Sequence, residues 1–295
     1  MSEHLAGYEA RDWEVVDYHM YELDGTGLRF RGPRLERLPT DGYFVCIGAA
    51  QTFGCLCERP FPVLLQDRLG LPALNLGYGG AGPSFFLKHA ALLEYINKAR
   101  FAVVQVMSGR SESNRMFDSG GLEYLTRRSD GQKMSADRAY NELLMGSNRS
   151  VVAFAGPTEV RRLVDESRQN WIANYRKLLD AITVPKILFW FAKRNPRYWQ
   201  RYASAYTLFG EFPQLVNQAM MRAVAPTAEH YVRCVSRRGM PQYLLSRFTG
   251  ERVSIDLSKD RADLTGTWET NIYYPTPEMH ADAATALEPT CRGLV

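Results

Sequence analysis

Nowhere in the 295 residues do about eighteen apolar residues run together, which excludes a membrane-spanning helix by the usual length criterion, so no stable membrane insertion is expected. Dense Lys/Arg clustering is missing too: a formal net charge of +4 and a pI near 8.7 fall short of a dedicated nucleic-acid binder, and no nucleic-acid partner is expected. Cysteine is scarce. Cys46, Cys55, Cys57, Cys234 and Cys291 are an odd number, and Cys55-Leu56-Cys57 is one residue too short for the Cys-x-x-Cys redox or zinc pattern. They read as reduced thiols, with neither a metal nor any other cofactor implied. Internal repeats and low-complexity tracts are absent, and the first twenty residues hold Glu3, Glu9, Asp12 and Glu14 where a secretory signal would be apolar. A cytoplasmic location is the expectation.

What is present is 45% hydrophobic residues, enough for a sizeable core, arranged in alternating strand and helix patterns from Tyr43 onward. Apolar runs at Tyr43 to Ile47, Ala73 to Leu76, Phe101 to Met107, Lys186 to Ala192 and His230 to Val235 predict buried strands. Amphipathic segments near Phe61 to Leu69, Phe85 to Lys98, Arg168 to Ile182 and Pro213 to Val224 predict the helices between them. Repeated units of this kind predict an α/β fold, an open and mostly parallel sheet in three layers of the flavodoxin-like kind. Residues 1–40 read as an N-terminal extension whose Asp24-Gly25 forms a hairpin turn, and residues 41–295 as one domain. Insertions at about 108–166 and 236–274 exceed ordinary connections and would emerge at the carboxyl ends of strands, as a lid, a partner surface or added packing.

The first strand runs into Gly48-Ala49-Ala50-Gln51-Thr52-Phe53-Gly54, a strand-to-helix corner at the sheet edge where ligands bind. Asn75-Leu76-Gly77-Tyr78-Gly79-Gly80-Ala81-Gly82 follows the second strand, and Tyr274-Pro275-Thr276-Pro277-Glu278-Met279-His280 precedes the last helix. These segments resemble the SGNH (GDSL-type) hydrolase superfamily, whose first block reads Gly-Asp-Ser-x-Thr-x-Gly. Gly48, Thr52 and Gly54 match in register, while Ala49 stands at the Asp position and Ala50 at the nucleophile. The resemblance makes Gly79 or Gly80 the oxyanion donor and His280 the general base. Pro277 replaces the acid that orients the base, and Glu278 is displaced by one residue. For the third block's Asn the chain offers Ser108, Arg110 and, further on, Asn114. The sequence also resembles a family of bacterial proteins of unassigned function.

An alanine cannot act as an oxygen nucleophile. Thr52 or Ser108 (or Ser111) could take that role, or His280 could deprotonate an acceptor hydroxyl for direct transfer. Gln51 and Thr52 would serve as auxiliary donors. Arg110, Lys193, Arg194, Arg237 and Arg238 follow strand ends and suggest a cationic rim for an anionic ligand, with Arg110 or Arg194 in contact. Gly77-x-Gly79-x-x-Gly82 also fits a dinucleotide spacing, but Glu94 comes too early for the ribose-binding acid. The leading expectation is a divergent SGNH-like enzyme acting on a carbohydrate or lipid-linked, anionic substrate by transfer to or from a hydroxyl. A non-catalytic binding or scaffold protein is the main rival, and a sulfotransferase-type enzyme using a nucleotide-activated sulfate the third reading. A small molecule or glycan is the expected partner, with room for a homo-oligomer.

Overall fold

A computed structural model describes residues 7–145, 156–260 and 265–295. Its centre is a five-stranded parallel sheet: β1 (Phe44–Gly48), β2 (Ala73–Gly77), β3 (Ala102–Gln105), β4 (Lys186–Ala192) and β5 (His230–Val235), in the order β2-β1-β3-β4-β5. This is the doubly wound flavodoxin-like order, with its switch point between β1 and β3. The register sets Gly48 beside Gly77 and Ile47 beside Val104, so the first three strands end together.

The strands of the middle are apolar except for Gln105 and Lys186 at their ends, because both faces are covered. On one face Val45, Ile47, Val104, Leu188 and Trp190 pack against Trp171, Tyr175 and Leu178 of the Gly156–Ala181 helix and against Phe86, Ile96 and Met220. On the other, Phe44, Cys46, Val103, Phe189 and Phe191 meet Phe61 and Leu65 of the Phe61–Leu69 helix and Met279, Ala283 and Leu287 of the Pro277–Arg292 helix. Strand β5 is the exposed edge, and only its Cys234 is fully buried. All five cysteines are free and buried.

Helix ends follow local chemistry. Pro62 opens the Phe61–Leu69 helix and Gly70, in the left-handed region at φ 66°, closes it with an N–H bond to the Gln66 carbonyl. The Pro277–Arg292 helix starts at Thr276, whose hydroxyl accepts from the Met279 N–H at 3.2 Å. The continuous helix expected over Phe85 to Lys98 is two, Pro83–Lys88 and Ala90–Lys98, joined at His89 with φ −112° and ψ 83°. The one expected to begin at Arg168 starts at Gly156, inside the first insertion, and that expected from Pro213 starts at Gln218.

Both insertions and the extension have structure of their own. In the first, Phe117–Asp118, Tyr124–Arg127 and Lys133–Ser135 form a small antiparallel sheet that packs with the Ala136–Met145 helix. In the second, two short antiparallel pairs join Gln242–Tyr243 to Thr270–Asn271 and Ile255–Asp256 to Thr267–Trp268. Tyr21–Leu23 pairs with Leu28–Phe30 across the Asp24-Gly25 turn. Residues 146–155 and 261–264, which belong to the insertions, lie outside the described residues. Among the described residues no helix is long and apolar enough to cross a membrane.

Candidate functional site

The corner after β1 is held by a residue of β3. Gln105 Oε1 accepts from the Ala49 N–H at 3.0 Å and from the Thr52 hydroxyl at 2.7 Å. Gly48 has to be glycine at this crossing: a Cβ there would lie 2.3 Å from both Gln105 Oε1 and Thr52 Oγ1. Gly77 is under the same constraint, because its Cβ would lie 2.1 Å from the Phe53 backbone nitrogen. Ala50–Phe53 is a single helical turn closed by Gly54 at φ 85°. Thr52, fully buried and donating to Gln105, therefore shapes the corner and does not line the cavity beside it.

That cavity, about 220 Å³, sits at the switch point. Its floor is Ala49, Ala50 and Gln51 from the β1 corner, Gly80 and Ala81 from the loop after β2, and Ser108, Arg110 and Ser111 from the loop after β3. Phe212 and Gln214, beyond β4, form one side. The insertions contribute Glu123 and Asp137 from the first and Leu257, Asp260, Trp268, Tyr273 and Tyr274 from the second, and the N-terminal Tyr8–Asp12 helix adds Tyr8 and Arg11. The insertions and the extension thus roof the sheet edge and make a cleft into a pocket.

Of the expected site residues, Ala50, Gln51, Gly80, Ser108, Arg110 and Ser111 meet in this pocket, and the others do not line it. Ser108 Oγ accepts from the Arg110 N–H at 3.1 Å and caps the turn that follows. Gly79 lies one wall away, against the Tyr8 ring. Asn114 is buried inside the first insertion, where it donates to Tyr140 and Ser167 and accepts from the Met116 and Phe117 N–H groups. Glu278 is exposed on the outer surface, over Gly239.

His280 is completely buried between the Phe61 and Phe191 rings, 6.1 and 5.3 Å between centroids. Its Nδ1 accepts from the Phe61 N–H at 3.2 Å, so the neutral ring carries its proton on Nε2, which has no partner among the described residues. Burial, reinforced by the Arg31 charge, pushes its pKa down to about 3. A ring that keeps its proton on Nε2 cannot accept one there.

The cationic rim is internally neutralised. Arg110 donates to Glu123 at 2.6 Å and to Asp137 at 2.9 Å. Burial opposes its charge, but Tyr273, Glu123 and Asp137 hold the guanidinium above its ordinary value. Arg194 lies outside the pocket, donating to the carbonyls of Asn195, Glu211, Pro213 and Val216 and lying over the Trp190 and Tyr198 rings. It braces the loop that delivers Phe212 and Gln214. Lys193 and Arg237 pair with Glu211, and Arg238 with Asp282. Among the described residues no group of three or more His, Cys, Asp or Glu is placed to hold a metal ion.

Sequence reasoning missed the roof. Tyr8, Arg11, Glu123, Asp137, Gln214, Trp268, Tyr273 and Tyr274 come from the extension, the insertions and a loop, where no periodicity marks which side faces a ligand. Arg11 binds Asp12 through two bonds, 2.6 and 2.7 Å, and Asp260 at 2.9 Å, tying the extension to the second insertion. Three buried polar atoms of pocket residues lack a hydrogen-bond partner among the described residues: Gln51 Oε1, Gln214 Oε1 and Arg110 Nε. Buried polar atoms are nearly always paired, with protein or with ordered water, so these three are exceptions within residues of the pocket wall.

Solved structures similar to this chain include a carbohydrate esterase family 2 enzyme with a carbohydrate-binding domain from Corynascus thermopiles (Myceliophthora fergusii), at 11% identity and a TM-score of 0.40, covering 89% of this chain and 68% of that one. A lipase from a goat rumen metagenome, also at 11% and 0.40, covers 84% and 96%. A catalytic mutant of the acetylxylan esterase Axe2 from Geobacillus stearothermophilus, at 12% and 0.37, covers 84% and 93%. Among curated proteins no relative matches. The family described as "Domain of unknown function (DUF6473)" matches residues 7–119 and 150–295, and this chain is a member of that family.

Proposed function

We propose that this chain uses a hydrolase-like α/β fold to bind a neutral, hydroxyl-rich ring, of which a monosaccharide unit is the chemical class, without covalent catalysis. The observation that carries this reading is that three residues lining one pocket, Gln51, Gln214 and Arg110, each hold a buried side-chain atom without a partner among the described residues: Gln51 Oε1, Gln214 Oε1 and Arg110 Nε. Two acceptors and one donor are matched by hydroxyl groups, each of which both donates and accepts. An anion would satisfy Arg110 Nε but face both amide oxygens and the carboxylates of Glu123 and Asp137. An apolar ligand would leave all three atoms unpaired at about 1–3 kcal/mol each.

Two further features support it. Tyr8, Phe212, Trp268, Tyr273 and Tyr274 give the pocket apolar walls, and its volume of about 220 Å³ is below the roughly 300–1,000 Å³ of clefts for drug-sized ligands. The floor presents Ala50 where a nucleophile would stand. His280 keeps its proton on the wrong nitrogen for a base. The anionic ligand suggested by the count of strand-end cations loses its support once those cations are seen paired to carboxylates and carbonyls.

Calorimetry on the full chain with methyl glycosides of glucose, galactose and mannose, beside glucuronic acid, galacturonic acid, sulfate and phosphate, tests the proposal. At least one neutral glycoside should bind, about tenfold or more tighter than its matched acid, and Gln51→Leu should weaken that binding about tenfold. Binding confined to the anions would overturn it. So would saturable hydrolysis of 4-nitrophenyl acetate by the unaltered chain.

A further inference from the structure

Beside the pocket lies a second depression of about 680 Å³, between the N-terminal hairpin, the loop after β2 and the first insertion. Tyr8, Glu123 and Asp260 line both spaces, so a single wall of side chains separates them. The surfaces differ in chemistry. Residues of the pocket wall hold the three unpartnered polar atoms, whereas the depression is lined by Met20, Leu28, Phe53, Tyr78, Leu122 and Tyr124. Among the described residues the one cation in this lining, Arg29, is paired with Glu9 at 3.2 Å, and the remaining ionisable lining groups are acidic or phenolic.

We infer that this depression is a second subsite, for an apolar or aromatic aglycone joined to the ring that the pocket takes; the inference rests on the neutral-sugar reading of the pocket. Two observations support that occupant. The first is adjacency: Tyr8, Glu123 and Asp260 line both spaces, so a substituent on a ring seated beside Tyr8 in the pocket of about 220 Å³ lies next to this depression. The second is apolar area. Leu28, Leu122 and Tyr78 are only partly buried against the core, so each leaves apolar surface for a ligand to cover. Tyr8 presents one ring to both subsites, held by Phe53 at 5.6 Å and Tyr274 at 6.2 Å between centroids and by the Arg11 guanidinium at 4.7 Å. The chain would then recognise a glycoside as a whole, a polar ring on one side of Tyr8 and an apolar group on the other.

The test is a comparison within pairs on the full chain: the methyl and the 4-nitrophenyl β-glycosides of glucose, galactose and mannose, titrated by calorimetry. For the sugar that binds, the aryl glycoside should bind about tenfold tighter than the methyl glycoside. Leu122→Gln and Leu28→Gln, made separately, should each reduce that ratio to about threefold or less while leaving the methyl glycoside's affinity unchanged, which also shows that the variants fold. Equal affinities of the two glycosides within twofold would overturn the aglycone subsite and leave the pocket reading standing. An aryl preference that survives both substitutions would overturn it as well, by placing the aryl group elsewhere. Failure of every glycoside to bind would overturn both.

Discussion

At the scale of single residues, Ala50 and His280 together decide what the β1 corner can do. Restoring a hydroxyl there is the obvious way to ask whether a hydrolase site survives. Ala50→Ser would place a hydroxyl at the pocket floor, but a general base must accept the serine proton on a free imidazole nitrogen. In this chain Nδ1 is taken by the Phe61 N–H, Nε2 carries the ring proton, and the side chain is enclosed by Phe61 and Phe191. The expected outcome is therefore no gain in 4-nitrophenyl acetate hydrolysis over the parent chain. A saturable gain that His280→Gln abolishes would show that the ring can turn and reach the pocket. A second residue is set against its ordinary chemistry: Glu112 is buried, its Oε2 accepting from Asn174 at 2.7 Å, and burial raises its pKa to about 7. Its folded pKa exceeds the unfolded value, so the folded chain binds the extra proton and this group's contribution to stability grows as pH falls from about 7 to about 4.5. Above pH 7 the buried charge is a burden. Glu112→Gln should unfold at a higher urea concentration than the parent at pH 8, an advantage that fades by pH 4.5. A difference independent of pH would mean that Glu112 does not titrate in this range.

At the scale of elements, the sheet was legible in the sequence and the roof was not. Strands such as Ile187 to Ala192 are buried on both sides, and a run of β-formers bounded by turn residues carries that information locally. Gly48, Thr52 and Gly54 were equally readable, because the crossing with Gln105 at Gly48 and Thr52, and the approach of Pro60 to Gly54, leave little choice of residue. Helix boundaries were less so: His89 breaks a pattern whose apolar spacing continues on both sides, and the break depends on backbone angles that periodicity does not report. The charge balance at the strand ends was hidden in the sequence for a related reason. A sequence shows that Arg110 and Arg194 follow strands, but their partners, Glu123 and Asp137 for one and four carbonyls for the other, come from segments that only the folded chain brings near. The same holds for His280, whose position matched a motif while its environment was set by Phe61, more than two hundred residues away.

At the scale of the whole molecule, the pocket exists because three distant stretches are tied together over the sheet edge, and Arg11 is the tie. Its guanidinium joins Asp12 in its own helix to Asp260 in the second insertion and donates to Tyr274 Oη at 3.2 Å, while lying over the Tyr8 and Tyr274 rings. Asp12 in turn accepts from Tyr18 Oη at 2.5 Å, and Tyr18 receives the Leu56 N–H at 2.8 Å, which carries the network down to the segment after the β1 corner. Arg11 and Asp12 are almost entirely buried. Removing one partner of such a pair leaves a buried charge without its counter-ion, at roughly 3–5 kcal/mol. Arg11→Met keeps the length and apolar stem of the side chain, so loss of packing contributes little and the charge is the main change. The variant should unfold at a markedly lower temperature, and it should lose glycoside binding even at temperatures where it remains folded, because Tyr8 and Tyr274 no longer hold their places as pocket walls. Adding Asp12→Asn should recover part of the stability, since the uncompensated carboxylate is then gone, without recovering the binding that depends on Asp260 and Tyr274 being drawn in. If Arg11→Met left both melting temperature and glycoside affinity unchanged, the roof would be held by its apolar contacts alone and the ionic tie would be dispensable.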